Sequence, residues 1–152
     1  MMLPNLEELK LKLCRILNDE WRLSDEDKFK SLKLLLLSHL NLERLEARSD
    51  NFPNLKRLVL KMCYRLQEIP TDFGEISTLE SIELHDCTAT AEDSAREIVQ
   101  EQEDMGNNSL KVYIHNSPGK LKQFFDSLIF VKSYLLQIKM ITSTFYLAYA
   151  GE

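Results

Sequence analysis

Leucine recurs through this chain at fixed intervals. Leu6, Leu9, Leu11 and Cys14 form L-x-x-L-x-L-x-x-C, and the spacing returns at Leu55, Leu58, Leu60 and Cys63 and again at Leu79, Ile82, Leu84 and Cys87. A further copy, Leu32, Leu35 and Leu37, carries Leu40 where the others have cysteine. The leading leucines stand 26, 23 and 24 residues apart, within the period of roughly 20–29 residues used by stacked leucine-rich coils. Each copy predicts a short strand with its leucines on one side. One strand cannot bury that side alone, so successive copies stack and share a core. The pattern predicts an α/β fold, a leucine-rich-repeat solenoid with a parallel sheet on its concave face and loops and short helices on its convex face.

The segments between strands carry turn chemistry. Residues 21–29 place Ser24 and Asp25 where either would cap a helical turn. Asp50-Asn51-Phe52-Pro53 reads as a turn, and Pro70 followed by Asp72-Phe73-Gly74 reads as an extended or 3-10 path. After Cys87 the spacing changes. Thr90 as N-cap with Asp93 at N3 opens a helix, Ala95, Ile98, Val99 and Met105 keep helical spacing, and Gly106-Asn107 ends it. Leu110-Lys111-Val112-Tyr113-Ile114 then alternates as a last strand, 28 residues past the preceding copy when Asn107 takes its first position. The predicted domain is therefore residues 1–117, four repeats plus a modified capping repeat, followed by an apolar tail over 118–152.

That tail reads as a helix packed on the end of the repeats or as a poorly specified segment, since the run from Ile141 to Tyr146 suits a strand as well as a helix. Between Ser133 and Ala150 the only charge is Lys139, a length close to that of a membrane span. A lysine at the centre of a span costs about 2.5–3.5 kcal/mol, and Gln137, Thr142, Ser143 and Thr144 add to it, which argues against a membrane segment.

Charge is unevenly placed. The net charge is −5, and residues 88–106 account for all of it, with six acids against Arg96 alone. The rest is balanced and shows no basic footprint for nucleic acid. The chain starts Met1-Met2-Leu3-Pro4 and runs straight into charged repeat residues, so no secretory leader is expected. Leu3, Leu6 and Leu9 are expected to face solvent or another chain.

Three cysteines are an odd number, which argues against a disulfide framework. The ninth repeat position is expected to point inward just after the strand, where a thiol serves as a small apolar filler. Cys14, Cys63 and Cys87 are all assigned there. Cys63 and Cys87 fall on neighbouring coils about 4.8 Å apart, so a bridge between them is geometrically open; Cys14, two coils from Cys63, argues against a three-cysteine metal site. The histidines His39, His85 and His115 do not share a motif with a nucleophile. No catalytic, cofactor-binding or metal-binding residue is assigned, and the chain reads as a non-enzyme.

The variable positions between the inward leucines supply the candidate site. The third-position row is Glu8, Leu34, Arg57, Ser81 and Ser109; the fifth is Lys10, Leu36, Val59, Glu83 and Lys111; the seventh is Lys12, Ser38, Lys61, His85 and Tyr113. Leu34, Leu36 and Val59 are expected either to form an exposed apolar patch rimmed by Arg57, Lys12 and Lys61, a composition suited to a protein interface, or, for Leu34 and Leu36, to lie under further N-terminal structure or the tail. Lys10, Lys12, Leu34, Leu36, Arg57, Val59, Lys61, Glu83 and His85 are accordingly the predicted protein-binding residues.

The run from Phe52 through Cys63, with Leu66-Gln67-Glu68-Ile69-Pro70-Thr71-Asp72-Phe73-Gly74, is similar to the last repeats of plant NB-LRR disease resistance proteins of the late-blight-resistance type. Ser94 to Asn107 followed by Leu110 to Ser117 resembles the C-terminal signature of that family, and Trp21-Arg22-Leu23-Ser24-Asp25-Glu26-Asp27 resembles a linker between its repeats. The resemblance covers residues 3–117. It implies a cytoplasmic immune receptor built from a coiled-coil region, a nucleotide-binding switch and a repeat domain that senses effectors and restrains the switch. The implied partners are proteins: a pathogen effector, a guarded host protein, or the nucleotide-binding domain of the same receptor. ADP or ATP binding is not carried over, because no G-x-x-x-x-G-K-[S/T] loop occurs here and the chain has four glycines. The tail from Pro118 has no counterpart within the resemblance. Two other readings stand beside it: a leucine-rich-repeat substrate adaptor of a ubiquitin ligase, which would carry an F-box-like segment upstream, and a non-functional truncated fragment.

Overall fold

The computed structural model describes residues 5–118. Every L-x-x-L-x-L copy is a strand: β1 (Glu8–Lys12), β3 (Leu34–Ser38), β5 (Arg57–Lys61) and β6 (Ser81–His85), joined by β7 (Lys111–His115). These five pair in the order β1-β3-β5-β6-β7, and every pair is parallel. Parallel neighbours require a crossover, and the connecting segments of about one repeat supply it. Two short connecting strands, β2 (Glu20–Arg22) and β4 (Arg44–Glu46), pair with each other in a second parallel sheet that the periodicity did not announce.

The leucine rungs are the core. Leu32, Leu35, Leu37, Leu55, Leu58, Leu60, Ile82 and Leu84 expose no surface at all, each burial being worth about 1.5–3 kcal/mol. Phe29, Phe52 and Phe73 line up behind them, with ring centroids 5.3 Å and 5.8 Å apart in succession. The first repeat differs: Leu6, Leu9 and Leu11 are only partly buried. Leu3 lies outside the described residues.

A recurring backbone device ends four of the strands. Leu13, His39, Met62 and Asp86, all at the eighth repeat position, have φ of 53°, 53°, 51° and 50°. Each uses its N–H to extend the ladder one step, donating to Ser38, Lys61, His85 and His115 carbonyls at 3.0, 2.9, 2.7 and 2.9 Å respectively. A left-handed residue turns the chain out of the strand immediately after that bond. None of the four is glycine, although the conformation costs an ordinary residue about 1–2 kcal/mol.

The helix α1 spans Ala89–Asp104, and its N-cap is Thr88, not Thr90: the Thr88 hydroxyl accepts from the Ala91 N–H at 3.1 Å. Thr88 wins because its hydroxyl also donates to the Leu66 carbonyl, so one side chain ties the helix start to the preceding repeat. The helix ends where Gly106 was expected to stop it. Gly106 has φ of 83°, its N–H donates to Glu103, and the Asn107 N–H reaches back to Gln102, the paired bonds of a Schellman cap.

Two further expectations are corrected. Ser24 caps no helix; its N–H and hydroxyl both donate to Asp27 Oδ2, at 2.9 and 2.8 Å, in a turn. The last strand begins at Lys111, and its register lies two residues later than predicted, with Val112 and Ile114 opposite Ile82 and Leu84. The 16-residue helix and its two-bond cap consume that extra length. The apolar tail, for which a packed helix was expected, lies outside the described residues.

Candidate protein-interaction face

One face of the five-stranded sheet packs on the core; the other presents the odd-numbered repeat positions. Register sets three rows across it. The first is Glu8, Leu34, Arg57, Ser81 and Lys111; the second Lys10, Leu36, Val59, Glu83 and Tyr113; the third Lys12, Ser38, Lys61, His85 and His115. The predicted rows hold through β6, and all nine predicted residues lie on this open face. At β7 the two-residue shift replaces Ser109, Lys111 and Tyr113 by Lys111, Tyr113 and His115.

The apolar patch is smaller than expected. Leu34 and Leu36 are half-buried, but Val59 is only 3% exposed and does not present a surface. Its short side chain is flanked in register by Leu36 and Glu83 and along its own strand by Arg57 and Lys61, all longer. Val59 thus belongs to the packing under the face, and the exposed aromatic of the same row is Tyr113.

Charged groups on the face fall into two kinds. Some are neutralised in place: Arg57 holds Glu83 Oε1 through Nη2 at 2.7 Å and Nε at 3.2 Å, and Lys10 pairs with Glu8. Lys12 and Lys61 make no salt bridge with any described carboxylate. His85 sits between Lys61 on one strand and His115 on the next, stacked on the His115 ring at a centroid distance of 4.7 Å. Glu83 approaches its Nε2 at 3.9 Å. Burial, then the positive charge of Lys61 and the neighbouring His115 ring, hold the His85 pKa below its ordinary 6.5, against the opposing pull of Glu83 and Asp86. The His85–His115 pair was not anticipated. Its only trace in the sequence is the identity of the two residues, because the stacking depends on where the helix lets β7 begin.

The cysteines divide as well. Cys63 and Cys87 are fully buried thiols, donating to strand carbonyls of the preceding repeat, Leu37 at 3.7 Å and Leu60 at 3.5 Å. The Cys87 thiol beside it, together with burial, pushes the Cys63 thiol well above its ordinary range. Cys14, assigned to the core by the same rung, is instead exposed. Among the described residues no earlier strand packs against β1, so the inward rung of the first repeat is uncovered. Among the described residues no group of three His, Cys, Asp or Glu side chains is placed to hold a metal ion, and no helix is long and apolar enough to cross a membrane.

No family model matches the chain. Individual proteins do. It is 41% identical over 114 residues, 74% of its length, to the late blight resistance protein homolog R1B-12 of Solanum demissum, and 39% identical over the same length to R1B-16 of that plant. With a third late blight resistance protein homolog of Solanum demissum, identity is 35% over 138 residues, 90% of the chain. A match of that coverage runs past residue 117, so the tail does have a counterpart among these relatives. This corrects the expectation that it has none. The chain spans about a tenth of their length or less, 8% to 10% for these three. Sequence identity over most of its residues places this chain in the late blight resistance protein family.

Proposed function

We propose that this chain is a leucine-rich-repeat solenoid segment that serves plant disease resistance as a cytoplasmic protein-interaction module, by recognising an effector or restraining the receptor's own switch. The observation that carries the reading is the contrast between the two faces of the sheet. The core rungs repeat one chemistry, aliphatic leucine, isoleucine or valine, whereas the open rows change at every strand: Leu36, Val59, Glu83 and Tyr113 follow one another across β3, β5, β6 and β7. Uniform rungs serve stacking, and variable rows on a rigid sheet are the means by which stacked repeats read a partner. The family relationship supplies the physiological setting. A protein partner also suits the mixture of half-buried leucine, aromatic and charged side chains on the face.

The test places residues 5–117 into the corresponding stretch of a full-length Solanum relative and scores its defence response in leaf tissue. Leu36→Glu and Glu83→Lys, both on the open face, are expected to abolish the response or make it constitutive. Lys30→Glu, exposed and away from the sheet, is expected to leave it unchanged. Open-face variants that accumulate normally and respond like the parent would sink the reading.

A further inference from the structure

The cations of this chain are not scattered at random with respect to its carboxylates. Of the fifteen Lys and Arg side chains among the described residues, ten make a salt bridge, among them Arg22, Arg48, Arg57 and Arg65. Three of the five that do not, Lys12, Lys61 and Lys111, lie on the open face of the sheet. Lys12 and Lys61 share one row with Ser38, His85 and His115, and no carboxylate occurs in that row. The nearest acid of the face, Glu83, is already held by Arg57 through two nitrogen atoms. Lys111 in the first row apart, the face pairs its other lysine and arginine charges and leaves Lys12 and Lys61 open in this row.

We propose that the Lys12–Lys61–His85–His115 row is a docking track for an extended acidic peptide segment of a protein partner, and that protonation of His85, stacked on the His115 ring, tightens the complex. The inference rests on the protein-interaction reading above and names the chemistry of the partner. Five strands about 4.8 Å apart make a row about 19 Å long, which an extended segment of about six residues spans at roughly 3.3 Å per residue. Carboxylates at alternate positions of such a segment all face the sheet. Lys61 and His85 are half-buried and Lys12 and His115 exposed, so the row is reachable while its centre is partly shielded from solvent screening.

The groups facing His85 determine the pH response. Lys61 from β5 and His115 from β7 oppose its proton, while Glu83 on its own strand and Asp86 in the turn favour it. In the free chain burial and the bases prevail. A peptide carboxylate laid along the row offsets the cationic repulsion, so the bound state takes up protons that the free state declines. By linkage, affinity rises as the pH falls through the histidine range. A carboxylate-only effect has the opposite sign, since acid would neutralise the peptide.

The experiment measures fluorescence anisotropy of a labelled dodecapeptide alternating Glu and Ser, titrated with the full 152-residue chain at low salt, at about pH 7.5 and about pH 5.5. Binding is expected at both pH values and at least about threefold tighter at the lower. Lys61→Glu should weaken it by about tenfold or more, as should Lys12→Glu, an exposed position whose change does not threaten the fold. The double variant His85→Gln/His115→Gln should keep the affinity seen at neutral pH and lose the tightening in acid. Absence of binding, affinity unmoved by both lysine variants, equal affinity at the two pH values, or tighter binding of a single-stranded oligonucleotide overturns the proposal. Because the leaf assay uses no peptide, its result stands or falls separately from this one.

Discussion

Asn51 reaches across a whole repeat to Ser24, its Nδ2 donating to the Ser24 carbonyl at 2.8 Å. The same amide nitrogen donates to the Asp27 carbonyl, also at 2.8 Å, and Oδ1 accepts from the Arg48 N–H at 2.7 Å. With 1% of its surface exposed, this side chain satisfies three backbone groups in two successive connections. It does for the loops what the leucine rungs do for the strands.

Asn51→Ala should therefore destabilise the chain by about 2–4 kcal/mol, because it strips partners from several backbone groups and leaves them poorly solvated. Asn51→Asp should be at least as damaging, since a carboxylate cannot donate to the two carbonyls. Urea unfolding followed by circular dichroism measures both. A loss below about 0.5 kcal/mol for the alanine variant would mean that water replaces the amide.

The left-handed residue of the first repeat is open to improvement. Leu13 has φ of 53° and is 79% exposed, so its side chain contributes little packing while its Cβ opposes the conformation. Leu13→Gly should leave stability unchanged or raise it by up to about 1 kcal/mol, the relieved strain offset by the greater freedom of unfolded glycine. Leu13→Ala, which retains Cβ, should show no gain. Thermal melts of the pair distinguish backbone relief from loss of an exposed leucine.

Thiol labelling should count the cysteines in two stages. Exposed Cys14 should react with a disulfide reagent in the native chain, whereas Cys63 and Cys87 should react only after unfolding, being buried and, for Cys63, held in the thiol form. Mass spectrometry of labelled peptides identifies the sites. Native labelling of Cys87 at the rate of Cys14 would contradict the packing described for β6.

Acid should cost this chain stability through His85. Folding holds its pKa below 6.5, so the unfolded chain binds more protons in that range and stability falls as the pH drops from about 6.5 toward the folded value. His85→Gln should flatten the stability profile between about pH 7.5 and pH 5.5, read as the shift of melting temperature across that interval. A profile identical to the parent's would show that the stacked pair carries no linkage. Asp27 acts at the other end of the scale: hydrogen bonds from the Ser24 N–H and hydroxyl lower its pKa from 3.8 to about 2. Its contribution is complete above 3.8, is lost as the pH falls through about 2, and disappears in Asp27→Asn.

Much of this architecture is legible in the leucine spacing alone. A rung at fixed intervals dictates which residues face inward, so β1, β3, β5 and β6, their parallel order and the rows through β6 follow from periodicity, and Gly106 marks the helix stop by its own chemistry. Position within the array is a different kind of information. Cys14 occupies the same rung as Cys63, yet one is exposed and the other sealed, because burial depends on a neighbouring strand and not on local pattern. Val59 looks exposed by repeat position and is covered by longer neighbours on three strands. Thr88 displaces Thr90 as helix cap through a bond to Leu66 in the previous repeat. The helix and its cap then set where β7 starts, and that two-residue choice brings His115 onto His85. Periodicity determines what points inward; only the packed chain decides which side chains meet across strands, because those contacts depend on the lengths of the segments between them.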